Sequence, residues 1–304
     1  MSPTETAFHG IFPYLVSPID VQGRVMEDVL RRLVADLIDA GVHGLTPLGS
    51  TGEGPYLGFE QRVELARVVV DAARRRVPVV PGVVATGTDD AIRQARAMAD
   101  LGADGLVLAL VPYFPLSEDA VVGYFTAVAD CVSLPIVVYS NPQLQRFVLT
   151  PSMVERLAQH PNIRYLKDTS GVTGLLLTIR QRVGDRLGIF SASAHVPLFA
   201  LMAGAVGWMA GPACLVPRLS VRLYHLARAG QWEEALAVQW PLWALNDAFQ
   251  RFNLAACIKA GLEHLGYPVG PPLPPQRPMA PADREELAGI LDRLLTLERS
   301  AAKT

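Results

Sequence analysis

Three features of this chain have the residue types and spacing for chemistry on a carbonyl group. The first is Lys167, which closes the strand-like run Ile163-Arg164-Tyr165-Leu166-Lys167. Lysine is seldom buried without a partner. At the tip of a core strand it is either half of a shielded salt bridge or a nucleophile that forms an imine. Asp168 follows at once, but strand alternation sends it to the opposite face, so it is badly placed as a permanent partner. A free lysine titrates near about 10.4, and an apolar setting lowers that value toward the attacking neutral amine. The second feature is Tyr139, at the end of Pro135-Ile-Val-Val-Tyr139 on the preceding strand. Neighbouring strands lie about 4.8 Å apart, so an amine and a phenol at adjacent tips can share a substrate. A phenol held by a hydroxyl relay can move a proton; taken alone, Tyr139 reads equally as a core residue with its hydroxyl on the rim. The third is the loop Gly49-Ser50-Thr51-Gly52-Glu53-Gly54. Its amides can converge on an anion, with the Ser50 and Thr51 hydroxyls as added donors. The loop has no lysine and is not a Walker motif, so it suits a carboxylate better than a phosphate chain. A plain strand–turn with a hydroxyl cap fits the same residues.

The elements that must position these residues follow from punctuation. Gly41-Val-His-Gly-Leu45, Gly102-Ala-Asp-Gly-Leu106 and Gly204-Ala-Val-Gly-Trp208 each close an amphipathic helix and open an apolar run. The first glycine suits a left-handed helix cap and the second starts a strand. Strands are predicted near 10–17, 44–48, 78–84, 105–111, 135–140, 163–167, 188–192 and 206–210, with helical periodicity between them. Runs such as Leu106-Val-Leu-Ala-Leu110 are apolar on both faces, as in a parallel sheet covered by helices. Eight strand–helix units predict an α/β fold, a (β/α)8 TIM barrel over residues 8–230, with a C-terminal helical extension over 231–304. Within the extension, Gly266–Pro278 holds six prolines and reads as a rigid surface connector. In such a barrel the chemistry sits at the carboxyl ends of the strands. That rim would carry Gly49 to Gly54, Tyr113 and Phe114, Tyr139, Lys167, Ala192 and Ser193, and Met209. Phe114 and Trp208 suggest an apolar pocket wall or ordinary rim packing, and His195 is the one histidine expected near the mouth.

Composition excludes several classes. Hydrophobic residues make up 50% of the 304, charged residues 18%, and the net charge is -2. That gives no nucleic-acid surface, and no run is long and apolar enough for a membrane helix. The start Met1-Ser-Pro-Thr-Glu-Thr6 lacks the basic region of a secretion signal. Cys131, Cys214 and Cys257 form no metal or redox motif, and a cytoplasmic location is expected. The six histidines show no paired ligand spacing, so no metal is expected.

The combination Gly49-Ser-Thr-Gly-Glu53, Tyr139-x-Asn-Pro142 and Tyr165-Leu-Lys167-Asp168 resembles the N-acetylneuraminate lyase/dihydrodipicolinate synthase superfamily, from about residue 8 to 295. The resemblance implies a homo-oligomer, dimer or tetramer, that binds pyruvate or a longer 2-oxo acid as a Schiff base without metal or organic cofactor. It implies that Lys167 forms the imine, that Tyr139 is the acid/base, and that Ser50 relays its proton. Thr51 with the amides of Gly49 and Gly52 would hold the carboxylate, and Phe114, Ala192 and Met209 would complete the substrate-binding wall. Four sites depart from the synthase pattern. Phe114 stands where a relay tyrosine is usual, and Leu144 where an arginine grips the second substrate, with Arg146 two residues further on. Ala192-Ser193 replaces glycine-aspartate, and Gly207-Trp-Met-Ala210 replaces Gly-Val-Ile-Ser.

The imine apparatus is thus present and the recognition of aspartate semialdehyde is altered. The expectation is a class I lyase, aldolase or dehydratase, acting on a 2-oxo-3-deoxy sugar acid or related hydroxy-2-oxo acid, and not a true dihydrodipicolinate synthase. The alternatives are 4-hydroxy-tetrahydrodipicolinate synthase, a metal-dependent barrel aldolase, and a sensor that keeps the imine pocket without turnover.

Overall fold

The computed structural model describes residues 8–192 and 196–301. Seven parallel strands hydrogen-bond in the order β1-β7-β6-β5-β4-β3-β2. They are β1 (Gly10–Pro13), β2 (Gly82–Ala85), β3 (Leu106–Leu110), β4 (Ile136–Ser140), β5 (Ile163–Asp168), β6 (Gly188–Ser191) and β7 (Gly207–Ala210). Leu45 and Thr46 close the ring between β1 and β2. Thr46 bridges Tyr14 and Leu45 bridges Val79, both in parallel. The Thr46 amide donates to the Pro13 carbonyl at 3.0 Å, and the Val80 amide to the Leu45 carbonyl at 2.8 Å. The result is a (β/α)8 barrel.

Two expected strands are therefore shorter than the apolar runs that predict them. The run 44–48 contributes only its bridging pair, and 78–84 becomes regular strand only from Gly82. Pro47, Pro78 and Pro81 explain this, because each lacks the N–H that a ladder needs on both sides. The first run ends its pairing at Pro13 and the Tyr14 bridge for the same reason.

Side-chain alternation separates two cores. Phe12, Val107, Val137, Tyr139, Tyr165, Phe190 and Met209 fill the lumen. Alternate residues such as Leu108, Val138, Leu166 and Trp208 pack outward against the helices. Lumen aromatics meet edge to face, with the Phe12 and Phe190 ring centroids 5.4 Å apart. Phe12, Phe190 and Trp208 are completely buried, and burial of a side chain of Phe size is worth about 1.5–3 kcal/mol each. The lumen is a packed column closed from below, so a substrate can enter only at the carboxyl ends of the strands.

Beyond the last barrel helix (Pro217–Arg228) come the helices Trp232–Arg251, Leu254–His264 and Pro281–Ala301. The segment between the last two is the proline-rich connector. It is tied to the barrel mouth through Glu53, whose carboxylate accepts the Leu273 amide at 2.6 Å and the Gln276 side-chain amide at 2.7 Å. None of the described helices is long and apolar enough to cross a membrane.

Candidate active site

Alternation along β5 turns Tyr165 and Lys167 into the lumen and Leu166 and Asp168 out of it. Lys167 pairs in register with Tyr139 on β4. Its Nζ lies 3.9 Å from the Tyr139 ring centroid and 3.8 Å from that of Tyr14, so the amine is held between two aromatic faces. Lys167 is only 3% exposed. Asp168, facing away, instead accepts from the Ser170 amide and hydroxyl. Burial pushes the Lys167 amine below the usual lysine range, and only Tyr139 pulls it back up. The salt-bridge reading of Lys167 is not what the geometry builds. The amine is desolvated and primed to lose its proton.

Tyr139 sits in a hydrogen-bond network. The Asn141 side-chain amide donates to its hydroxyl at 2.8 Å, and Gln145 donates to its backbone carbonyl at 2.7 Å. Burial opposes the phenol's ionisation, but the Lys167 ammonium and the Asn141 amide, with the Ser50 and Thr169 side chains, outweigh it, leaving Tyr139 below the ordinary phenol value. A phenol so placed takes and returns a proton more readily than a free one. Tyr139→Phe is expected to cut turnover about 10²- to 10⁴-fold. It also removes the one group that raises the Lys167 pKa, so the acid limb of imine formation should move to lower pH. A stopped-flow or quench series across pH checks both effects, and a limb that stayed or moved upward would contradict the pairing.

A cavity of about 600 Å³ opens over this pair, lined by Ser50, Thr51, Tyr139, Lys167, Thr169 and Ala192 from the barrel. Thr51 is 1% exposed, and its hydroxyl has no partner among the described residues, as expected of a donor reserved for a bound anion. Gly211 lets it come close, since a Cβ there would meet Thr51 Oγ1 at 2.8 Å and Ile258 at 2.0 Å. Glu53 lines the cavity, but its carboxylate is committed elsewhere. It is buried in an ion pair with Lys259 at 2.6 Å, and Lys259 also donates to the Pro271 carbonyl at 2.8 Å.

Several residues expected in the binding wall stand elsewhere. Gly49 and Gly52 do not line this cavity. A Cβ on Gly49 would meet the Tyr14 ring at 2.2 Å, and one on Gly52 the Leu15 carbonyl at 2.8 Å, so both positions need glycine for close packing, and Gly49 lines an adjoining pocket with Tyr14, Ser50 and Tyr139. Met209 points into the lumen core below the cavity, one position short of Ala210 and Gly211, which do line it. Phe114 is 70% exposed and packs edge to face on Tyr113, outside the cavity. Trp208 faces outward and donates to the Ala192 carbonyl at 3.3 Å, which settles it as packing. Arg146 is exposed and reaches the Tyr113 carbonyl, leaving Leu144 as the residue on the cavity wall. Ser193 and His195 lie outside the described residues.

The dihydrodipicolinate synthetase family model matches residues 7–294. The chain belongs to this family. It is a lyase of that family by this membership and by its relatives. It is 33% identical to the 4-hydroxy-tetrahydrodipicolinate synthase of Acidiphilium cryptum, over 94% of this chain and 98% of that protein. Among solved structures it is similar to a putative dihydrodipicolinate synthetase from Pseudomonas aeruginosa, with a TM-score of 0.91, 30% identity, and coverage of 94% and 99%. It is also similar to YagE, a prophage protein of the dihydrodipicolinic acid synthase family from E. coli K12 in complex with pyruvate. That match has a TM-score of 0.89, 30% identity, and coverage of 95% and 99%.

Within this family fold the chain adds residues that the sequence patterns did not single out. Tyr14 is one; its place in the first apolar run, two residues after the lumen-facing Phe12, was a usable signal. Asn246 is another, a fully buried amide on the inward stripe Leu242–Asn246–Phe249 of the helix Trp232–Arg251, lining the cavity opposite the barrel. Only the way the extension folds back over the mouth reveals it.

Proposed function

We propose that the protein is a Schiff-base-forming class I lyase acting on a neutral-tailed hydroxy-2-oxo acid, such as a 2-oxo-3-deoxy sugar acid, with pyruvate as product or co-substrate. The observation that carries this reading is the buried Lys167 amine, clasped between Tyr14 and Tyr139 with no carboxylate beside it among the described residues. The neutral amine attacks C2, and loss of water gives an iminium that draws electrons from C3. Cleavage of the C3–C4 bond, with the C4 hydroxyl giving up its proton to become a carbonyl, leaves an enamine; in the dehydration branch loss of the C3 proton forms the enamine, which then expels the C4 hydroxyl as water to give a conjugated iminium. Protonation at C3 and hydrolysis free the product and Lys167. Tyr139 carries protons between nitrogen, oxygen and carbon, with Ser50 as relay, while the orphan Thr51 hydroxyl receives the substrate carboxylate. The imine on Lys167 is the only cofactor this scheme requires.

The substrate class follows from the rest of the wall. Apart from Lys167 and the paired Glu53, the described lining is uncharged: Leu144 on one side, and Asn246, Gln250, Asn253 and Gln276 from the extension on the other. Amides suit hydroxyl groups, whereas a second carboxylate would want an arginine fork. The curated relatives carry the name 4-hydroxy-tetrahydrodipicolinate synthase and lend no support to a departure from it; the departure rests on Leu144 and this neutral wall. We further place the enzyme in the cytoplasm as a homo-oligomer, dimer or tetramer. The test compares pyruvate release from 2-oxo-3-deoxy sugar acids with condensation of pyruvate and aspartate semialdehyde. Wild type is expected to favour the former, and Leu144→Arg to gain on the latter. Efficient condensation by the wild type would establish the synthase alternative instead.

A further inference from the structure

Tyr14 carries an observation that the scheme above leaves unused. It is 1% exposed, yet its hydroxyl finds no hydrogen-bond partner among the described residues, and the side chain lines the same cavity as Lys167 and Thr51. A buried hydroxyl left unpaired costs stability, and natural structures rarely keep one without use. The ring is seated deliberately. It lies under the Lys167 amine at 3.8 Å and flat against Gly49, where any side chain would collide with it. Burial, reinforced by the nearby Tyr139, keeps Tyr14 un-ionised, so it remains a donor under conditions where Tyr139 accepts protons. Two phenols whose settings push them in opposite directions are suited to different tasks.

We propose that Tyr14 is a catalytic residue of the imine-forming step, its hydroxyl donating a hydrogen bond to the C2 oxygen of the 2-oxo acid as Lys167 attacks. This rests on the Schiff-base reading of Lys167. Any group against Nζ is adjacent to the substituents of the carbon that Nζ attacks. As the nitrogen lone pair forms the N–C2 bond, the C2–O π pair moves onto oxygen, and Tyr14 stabilises that alkoxide without giving up its proton. The ammonium proton then reaches the same oxygen through Tyr139, giving a carbinolamine. A second proton, the one Tyr139 took from the resting Lys167 ammonium before attack, lets the C2–O bond break as water while the nitrogen lone pair forms the iminium. Tyr14 ends the step as it began it. The donor is fixed before the reaction, which is the condition under which one hydrogen bond to a developing oxyanion matters most.

Tyr14→Phe keeps the ring on Lys167 and Gly49 and removes only the hydroxyl. Borohydride-quenched time courses with pyruvate should show imine formation slowed about 100- to 1,000-fold, the scale of losing one oxyanion donor. Thermal melting of the same variant should be unchanged or higher, because the lost hydroxyl satisfied nothing in the protein. Slower trapping with undiminished melting separates a donor from a structural group. Trapping at the wild-type rate overturns the proposal, as does a lowered melting temperature, which would place the hydroxyl in the fold. If wild-type protein itself forms no pyruvate adduct, the Schiff-base reading falls first and Tyr14 with it.

Discussion

Lys167→Met is expected to remove adduct formation with 2-oxo acids and to lower turnover by at least about 10⁴-fold, the scale of deleting a catalytic nucleophile. The same variant should fold at least as well as the wild type. Lys167 is buried without a counter-ion among the described residues, and a methionine of similar length replaces a desolvated amine with a chain that fits the surrounding rings. The pH dependence follows with a definite sign. The folded Lys167 holds its proton less tightly than the unfolded chain does, so the unfolded state carries the extra proton between the depressed value and about 10.4. Wild-type stability should rise with pH across that window, and the Lys167 contribution to the slope should vanish in the variant. Denaturant titrations at several pH values measure this. A variant that keeps its activity, or that is much less stable, would mean the amine is structural.

The second large effect concerns Glu53 and Lys259, an ion pair at 2.6 Å with side chains 0% and 1% exposed. Removing one member of a buried pair strands the other, at a cost of about 3–5 kcal/mol. Lys259→Met and Glu53→Ala should each lower stability on that scale. Combining the two should recover much of the loss of either, because apolar replacement of a whole pair is often neutral. Glu53 lies two residues from Thr51 and also anchors Leu273 and Gln276, so its loss should weaken 2-oxo acid binding as well. Urea unfolding of the two single variants and the double checks the coupling. Strictly additive losses would show that the pair does not act as a unit.

The Glu53–Lys259 pair also marks where the sequence stops being readable. Short apolar runs and glycine punctuation give the barrel, because those signals are local and the sheet is covered on both faces. Lys167 and Tyr139 were legible for the same reason: strand parity fixes which way each points, and the parallel register places them side by side. The glycines that cap helices were legible, since Gly41, Gly102 and Gly204 all take the positive φ expected of them, but the contacts of the loop glycines were not. Gly49 reads as part of an anion cradle, but what its missing Cβ admits is the Tyr14 ring, thirty-five positions away in the chain and next to it in space. Met209 was misplaced by one residue because the strand end, not its composition, sets where lumen becomes cavity. Asn246 and Glu53 depend on how helices with no strand register return over the barrel mouth, a non-local packing choice that periodicity cannot report.

The chain has only three lysines, Lys167, Lys259 and Lys303, so the central claim can be tested at a single residue. Incubation with pyruvate, reduction with borohydride and tryptic mapping should place the reduced pyruvate increment on Lys167. The modified lysine would resist cleavage and appear within the peptide 165–180. No increment, or one confined to Lys259 or Lys303, would contradict the account.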